Sequence, residues 1–192
     1  PAYPHYSRSS TGAFLKQISV AVDTRVHTIP SFYDLPEYIT AVASSILAAA
    51  DHRLTHTHVL FSAHGVPQSY VDDGDPYVAH VQASVTAVAK SLAERGFGFS
   101  HSIAYQSRVG RAQWTRPYLL DELRQLKGQR VVLVPISFIS DHSETLYELD
   151  IEYAELASEL DIEYIRAPVV GVDPVFIEGL ASLVKRAAGL PA

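Results

Sequence analysis

The chain has no cysteine and no methionine, a single tryptophan, and only 15 lysines and arginines against 21 aspartates and glutamates. Each shortage closes a class of function. Without cysteine there is no disulfide, no thiolate metal site and no cysteine-ligated iron–sulfur cluster within these 192 residues. A net charge of −6 argues against a general nucleic-acid surface, which needs a basic face. No apolar run approaches the ~20 residues that span a bilayer, and no signal peptide is visible. The opening Pro1-Ala2-Tyr3-Pro4 carries no initiator Met and reads as a piece of a longer protein. What remains is ordinary for a folded domain: 47% hydrophobic and 19% charged residues. The ligands left for a divalent metal are nine histidines and the carboxylates.

Helical and strand-like patterns alternate along the chain. Helices are expected over 11–22, 35–50, 76–95, 116–127, 143–160 and 173–188, and strands over 26–30, 58–63, 99–106, 130–138 and 162–167. Asp75-Pro76 reads as a cap followed by proline at the first helical position, and Gly96 and Gly128 stop their helices. Strands and helices of these lengths imply βαβ units. The expected fold class is a three-layer α/β/α arrangement around a parallel sheet, Rossmann-like in topology. Residues 1–24 are expected to be the end of a preceding domain with its connecting helix, and 25–192 one α/β domain.

In such folds ligands sit beyond the carboxyl ends of the strands. Three strand ends carry polar or aromatic groups to that edge. The run "VLFSAHG" ends at His64 on the Gly65 hinge; "RVVLVPISFI" ends in Ser140-Asp141-His142-Ser143-Glu144; a third ends in Gln106-Ser107-Arg108, followed by Trp114. A histidine in that position is either a structural residue or a base poised near neutral pH. Glu144, Glu148 and Glu152 fall at i, i+4 and i+8, on roughly one face of a helix, where like charges repel. Two readings stand: a solvated acidic face, or a track of carboxylates for a hard or borderline divalent cation. Asp141 is either a ligand or a helix cap. His52, His56 and His58 are explained by solvent exposure at a strand start, and Asp72, Asp73 and Asp75 by turn chemistry. There is no phosphate-cradling glycine loop and no nucleophile elbow.

Taken together, "YPHYSRSSTGA", "FSAHGVP" with "GDPY" downstream, "YQSRVGRAQW" and "PISFISDHSETLYELDIEY" resemble ferrochelatases in order and spacing, from Tyr3 to about Val184. The resemblance implies a chelatase-like fold and insertion of Fe2+ into a porphyrin in haem biosynthesis, with release of two protons. It places the family's active-site histidine at His64 and its glutamate at Glu144, and the acidic series beyond at Glu148 and Glu152. These four are the implied metal ligands, with His64 and Glu144 as the catalytic pair. Phe14, Trp114, Phe138, Asp141 and His142 fall at porphyrin-binding positions. Phe14 stands where some bacterial relatives carry a tyrosine, so a phenolic hydrogen bond to the macrocycle would be lost. No cofactor is implied, since Fe2+ is substrate and the lack of cysteine matches the cluster-free type. The expected partners are coproporphyrin III or protoporphyrin IX and Fe2+, with weak membrane-surface association and no nucleic acid, in the cytoplasm. The family's first half would precede Pro1. The alternative is therefore a half-site that binds metal or tetrapyrrole without turnover.

Overall fold

The computed structural model describes residues 2–24 and 26–191; Pro1, Arg25 and Ala192 lie outside the described residues. The β-strands are β1 (Thr57–His64), β2 (Ser100–Gln106), β3 (Arg130–Pro135) and β4 (Glu163–Arg166). They form one sheet in the order β2-β1-β3-β4, with every pair parallel. The α-helices are α1 (Ala13–Ala21), α2 (Pro36–Ala49), α3 (Gln68–Asp72), α4 (Tyr77–Glu94), α5 (Leu119–Gln125), α6 (Tyr153–Glu159) and α7 (Pro174–Ala187).

Successive strand residues point to opposite faces, so each strand feeds two apolar layers. Val59, Phe61, Ala63, Val132 and Val134 join α2, α4 and α7 in one cluster that includes Tyr38, Ile46, Leu92 and Phe176. Leu60, Val131 and Leu133 join Leu119, Leu123, Leu149 and Ala157 of the α5–α6 side in the other. The chain leaves β1 toward β2 on one side and crosses back to place β3 on the other. The carboxyl ends of β1 and β3 are thus the topological switch point, where open α/β sheets hold their ligands.

Several segments depart from the sequence pattern. No strand forms over 26–30, and this stretch pairs with neither edge strand of the sheet. The expected helix at 116 begins at Leu119, because Pro117 O accepts from Tyr105 N beside β2 instead of opening a helix. β3 stops at Pro135, three residues early, since proline has no amide for the ladder. Asp75 still caps, accepting the Tyr77 amide at 3.0 Å. Helix 143–160 splits: Glu144–Glu152 winds as a π-helix before α6 continues it. A second π-turn, Arg8–Gly12, precedes α1.

The segment ahead of α2 behaves in two ways. Pro4 O accepts from Phe32 N, His5 bonds Ser84, and Asp75 accepts from Ser7 Oγ and Arg8 N, which ties residues 4–8 to the body of the domain. α1, in contrast, buries none of its residues.

Candidate active site

His64 is the last residue of β1. Its Nδ1 lies 2.6 Å from Gly65 O. A carbonyl only accepts, so Nδ1 carries the proton and the lone pair of the neutral ring is on Nε2. Nε2 faces Glu144 Oε2 at 3.7 Å. The Phe138 ring stands edge-on to the imidazole, 6.5 Å between centroids, and packs edge-on against His142 at 4.4 Å. The buried Tyr77 phenol lines the same cleft, and its hydroxyl lies 2.8 Å from Ser137 Oγ. Burial pushes that phenol's pKa well up, so it stays neutral. A neutral, hydrogen-bonded pair thus lines the cleft beside the base-bearing strand end.

Gly65 answers a packing demand. A Cβ there would meet Gln106 O at 3.0 Å and the Trp114 ring at 3.3 Å. The loop after β2 folds back along the loop after β1, with Gln68 N donating to Gln113 O, Thr115 N to Val66 O, and Val66 N to Thr115 Oγ1. This sets the Trp114 ring over Gly65, and Trp114 Nε1 donates to Val109 O at 3.0 Å.

These groups enclose a cleft of about 360 Å3, walled by Tyr3, Tyr70, Tyr77, Trp114 and Phe138, with His64 and Glu144 at its polar end. A second cavity of about 400 Å3 shares Tyr3, Phe138 and Glu144 with it and adds His142. A third, of about 710 Å3, holds Glu148 and Glu152 together with Arg108, Arg116 and Tyr153. The acidic series thus runs from one cavity to another along the π-helix. In an α-helix, positions four apart overshoot a full turn by about 40°. The i→i+5 winding has more residues per turn, so such positions fall short of a full turn instead of overshooting it, and the three carboxylates take a different line along the helix. Glu148 is held in place: its Oε2 accepts from Gln106 Nε2 at 3.1 Å and from the Ser107 hydroxyl, and Ser62 Oγ donates to Gln106 Oε1 at 2.7 Å. Ser107 adopts a left-handed backbone, φ 58°, uncommon for a residue with a Cβ and of a kind that gathers at working sites. The Tyr153 phenol is pushed up to about 12, by burial first and then by the charges of Glu148 and Glu152.

The sequence-derived residues are distributed unequally. His64, Glu144, Trp114 and Phe138 share the first cleft, and His142 lies in the adjoining second. Phe14 is 40% exposed on α1 and lines none of these cavities. Asp141 turns away to pair with Arg166. Among the described residues no three histidine or acidic side chains converge into a metal cage. The carboxylates are separate stations, with one close pair at His64–Glu144. Gln106, Ser107, Tyr77, Ser137 and Arg166 had no role assigned from sequence. The polar ending "YQSR" was the available signal for the first two; nothing local marks the others.

The ferrochelatase family model matches residues 1–188. The chain belongs to the ferrochelatase family. It is 40% identical to the ferrochelatase of Geobacter metallireducens over 196 residues, covering 96% of this chain and 61% of that protein. It is 42% identical to a Synechococcus ferrochelatase, covering 96% and 51%, and 41% identical to that of Rippkaea orientalis, covering 100% and 52%. The chain therefore spans between about half and three fifths of the length of these family members. Among solved structures, SirB from Bacillus subtilis with Fe3+ superposes with a TM-score of 0.60 at 16% identity, over 98% of this chain and 69% of that one. At that identity the likeness shows the fold, a chelatase-like parallel sheet flanked by helices.

Proposed function

We propose that this chain carries the metal- and proton-handling side of a ferrochelatase, inserting Fe2+ into a porphyrin with release of two protons. The observation that carries this reading is the His64–Glu144 pair, 3.7 Å apart at the polar end of an aromatic cleft. Two atoms each about 2 Å from one divalent ion can stand up to ~4 Å apart, so the pair can share an incoming metal or a proton. Insertion must remove two pyrrole N–H protons. With Nδ1 committed to Gly65 O, His64 Nε2 is the free acceptor, and an imidazolium formed there faces the Glu144 carboxylate. Trp114, Phe138 and Tyr3 supply flat walls against which a macrocycle stacks. Glu148 and Glu152, in the outer cavity, supply exchangeable oxygen ligands along which the substrate Fe2+ passes inward or protons pass outward. In this reading the product is haem or its coproporphyrin counterpart, and no resident cofactor takes part.

A second reading, a half-site that binds metal or tetrapyrrole without turnover, is favoured by one observation: the chain spans only about half to three fifths of the length of the family members compared above. The deciding experiment is anaerobic Fe2+ or Zn2+ insertion followed by absorbance, offering coproporphyrin III and protoporphyrin IX in parallel to the chain and to His64→Ala. Insertion that His64→Ala lowers by about 10²-fold or more supports the enzyme reading, since a positioned general base contributes that much. Porphyrin binding without insertion selects the half-site. Undiminished insertion by His64→Ala removes that residue from the mechanism.

A further inference from the structure

The π-helix Glu144–Glu152 is a wide turn in a segment whose acidic residues repel one another, so something outside it must hold its winding. The winding changes along its length. Leu146 N still donates to His142 O, an i→i−4 bond, whereas Tyr153 N donates to Glu148 O, an i→i−5 bond. The wide winding extends over Glu144–Glu152, and residues 148–150 within it are each gripped from β2, β4 or the residue just beyond β2. Glu148 accepts from Gln106, the last residue of β2, and from Ser107. Leu149 O accepts from Tyr164 OH at 2.9 Å. Asp150 accepts from Arg166 Nε. A side chain that takes a carbonyl from the helical ladder is one of the few recognised causes of such a distortion.

Tyr164 and Arg166 lie two apart on β4 and so project from the same face. Arg166 grips twice. Besides Asp150 it holds Asp141 through both terminal nitrogens, at 3.1 and 3.5 Å. Asp141 immediately precedes His142, whose Nδ1 accepts the Glu144 amide at 3.2 Å. One guanidinium, 17% exposed, thus ties the chain just ahead of the π-helix to Asp150 within it. It lines none of the three cavities, and each of its three nitrogens already bonds one of the two carboxylates, so it is no anchor for an anionic substrate.

We propose that Arg166, assisted by Tyr164, is a positioning residue: it holds the wide winding at 148–150 and thereby keeps Glu144, Glu148 and Glu152 on their line along the helix. The consequence for metal handling rests on the function proposed above; the holding of the turn does not. Rewound as an α-helix, the segment would carry Glu152 about 80° past Glu144 around the axis instead of short of it. The line of carboxylates between the outer cavity and His64 would then break.

The test uses the full chain with Arg166→Gln, Arg166→Lys and Tyr164→Phe, and three readouts: amide hydrogen exchange by residue, Zn2+ affinity by calorimetry, and porphyrin affinity by fluorescence quenching. In Arg166→Gln, exchange over 144–153 is expected to rise about tenfold or more while α4 and α7 are unaltered. Zn2+ affinity is expected to fall about tenfold to hundredfold, the usual effect of losing an outer partner of a ligand set, with porphyrin affinity unaltered. Arg166→Lys, which reaches one carboxylate and not both, falls between. Tyr164→Phe loses a single hydroxyl and shows the same pattern with a smaller shift, which keeps the test open should Arg166→Gln fail to fold. Unaltered exchange over 144–153 overturns the proposal, and so does raised exchange with undiminished Zn2+ affinity. If the wild-type chain takes up no Zn2+, the functional reading falls by itself, and the exchange result alone decides whether Arg166 holds the turn.

Discussion

On the face of the sheet covered by α2, α4 and α7, Tyr38, Ile46, Leu92 and Phe176 are sealed in one apolar layer. On the opposite face the fully buried Leu149 lies under a turn gripped by a phenol, a guanidinium and a primary amide. Tyr77 and Val66 reach the cleft from one end of the first layer, but Tyr38, Ile46, Leu92 and Phe176 line none of the three cavities and can be close-packed. The opposite face must keep several carboxylates near one another and half-exposed, so apolar burial cannot do the holding and directed polar contacts replace it. Stability and chemistry are thereby assigned to different sides of the same four strands, and the two should fail separately.

The sharpest way to break that division is a truncation on the packed side. Phe176 touches Phe32 and Tyr38, with ring centroids 5.9 Å away in each case. Phe176→Ala is expected to cost about 3–5 kcal/mol in urea unfolding, while porphyrin and Zn2+ affinities of the folded fraction are retained. Loss of affinity without loss of stability would reverse the assignment.

Acid should find the packed side through His5. Ser84 Oγ gives its hydrogen to Tyr33 O and so accepts from His5 Nε2, which leaves His5 Nδ1 buried without a partner. Burial lowers this histidine's pKa to about 3, with the nearby His80 adding to the effect. The folded state then binds fewer protons than the unfolded one. Its stability is fully present above the ordinary histidine range and is lost as pH falls from 6.5 toward 3. The slope from this group is about 1.4 kcal/mol per pH unit. Unfolding free energy measured between pH 7 and 4 should fall more steeply in the wild type than in His5→Gln. Parallel curves would show that His5 is not the acid-sensitive group.

On the polar side the matching test is Glu148→Gln. It keeps the shape that Gln106 and Ser107 grip and removes the charge. Stability should move by no more than about 0.5 kcal/mol, as for a half-exposed surface change. The metal concentration needed for half-maximal insertion should rise about tenfold, in keeping with loss of one carboxylate from a ligand set. An unaltered metal dependence would leave the series a solvated acidic face, the plainer of the two readings open from sequence.

That both readings stay open from sequence shows how far a linear pattern reaches. The alternation of apolar runs with helical spacing set the parallel sheet and its working edge, and the strand-end rule pointed to His64 and to the segment after β3. What lay beyond reach was set by contacts distant in sequence. The spacing of Glu144, Glu148 and Glu152 suits an α-helix, whereas the segment winds wider and is held by Gln106, Ser107, Tyr164 and Arg166, all distant in sequence. Asp141 looked equally like a ligand or a cap; in the structure it pairs with Arg166. Phe14 was assigned by motif alignment alone, and α1 carries it on a helix that buries nothing. The short strand expected over 26–30 pairs with neither edge strand, and such pairing is a condition no propensity encodes.

The smallest effect is expected where the packed face closes on itself. α7 begins at Asp173, whose Oδ1 accepts from Val175 N at 2.9 Å and Phe176 N at 3.2 Å, and Pro174 follows at the first helical position. Asp173→Ala leaves two amides of the first turn without that acceptor and should cost about 1 kcal/mol in the same urea assay. Asp173→Ser should recover most of it, because a hydroxyl caps as well as a carboxylate. Because Phe176 sits on the turn that Asp173 caps, the double variant Asp173→Ala/Phe176→Ala should cost less than the two single losses added together. Strict additivity would mean that the cap stabilises α7 without positioning Phe176, and that the packed face is a set of independent contacts rather than one unit.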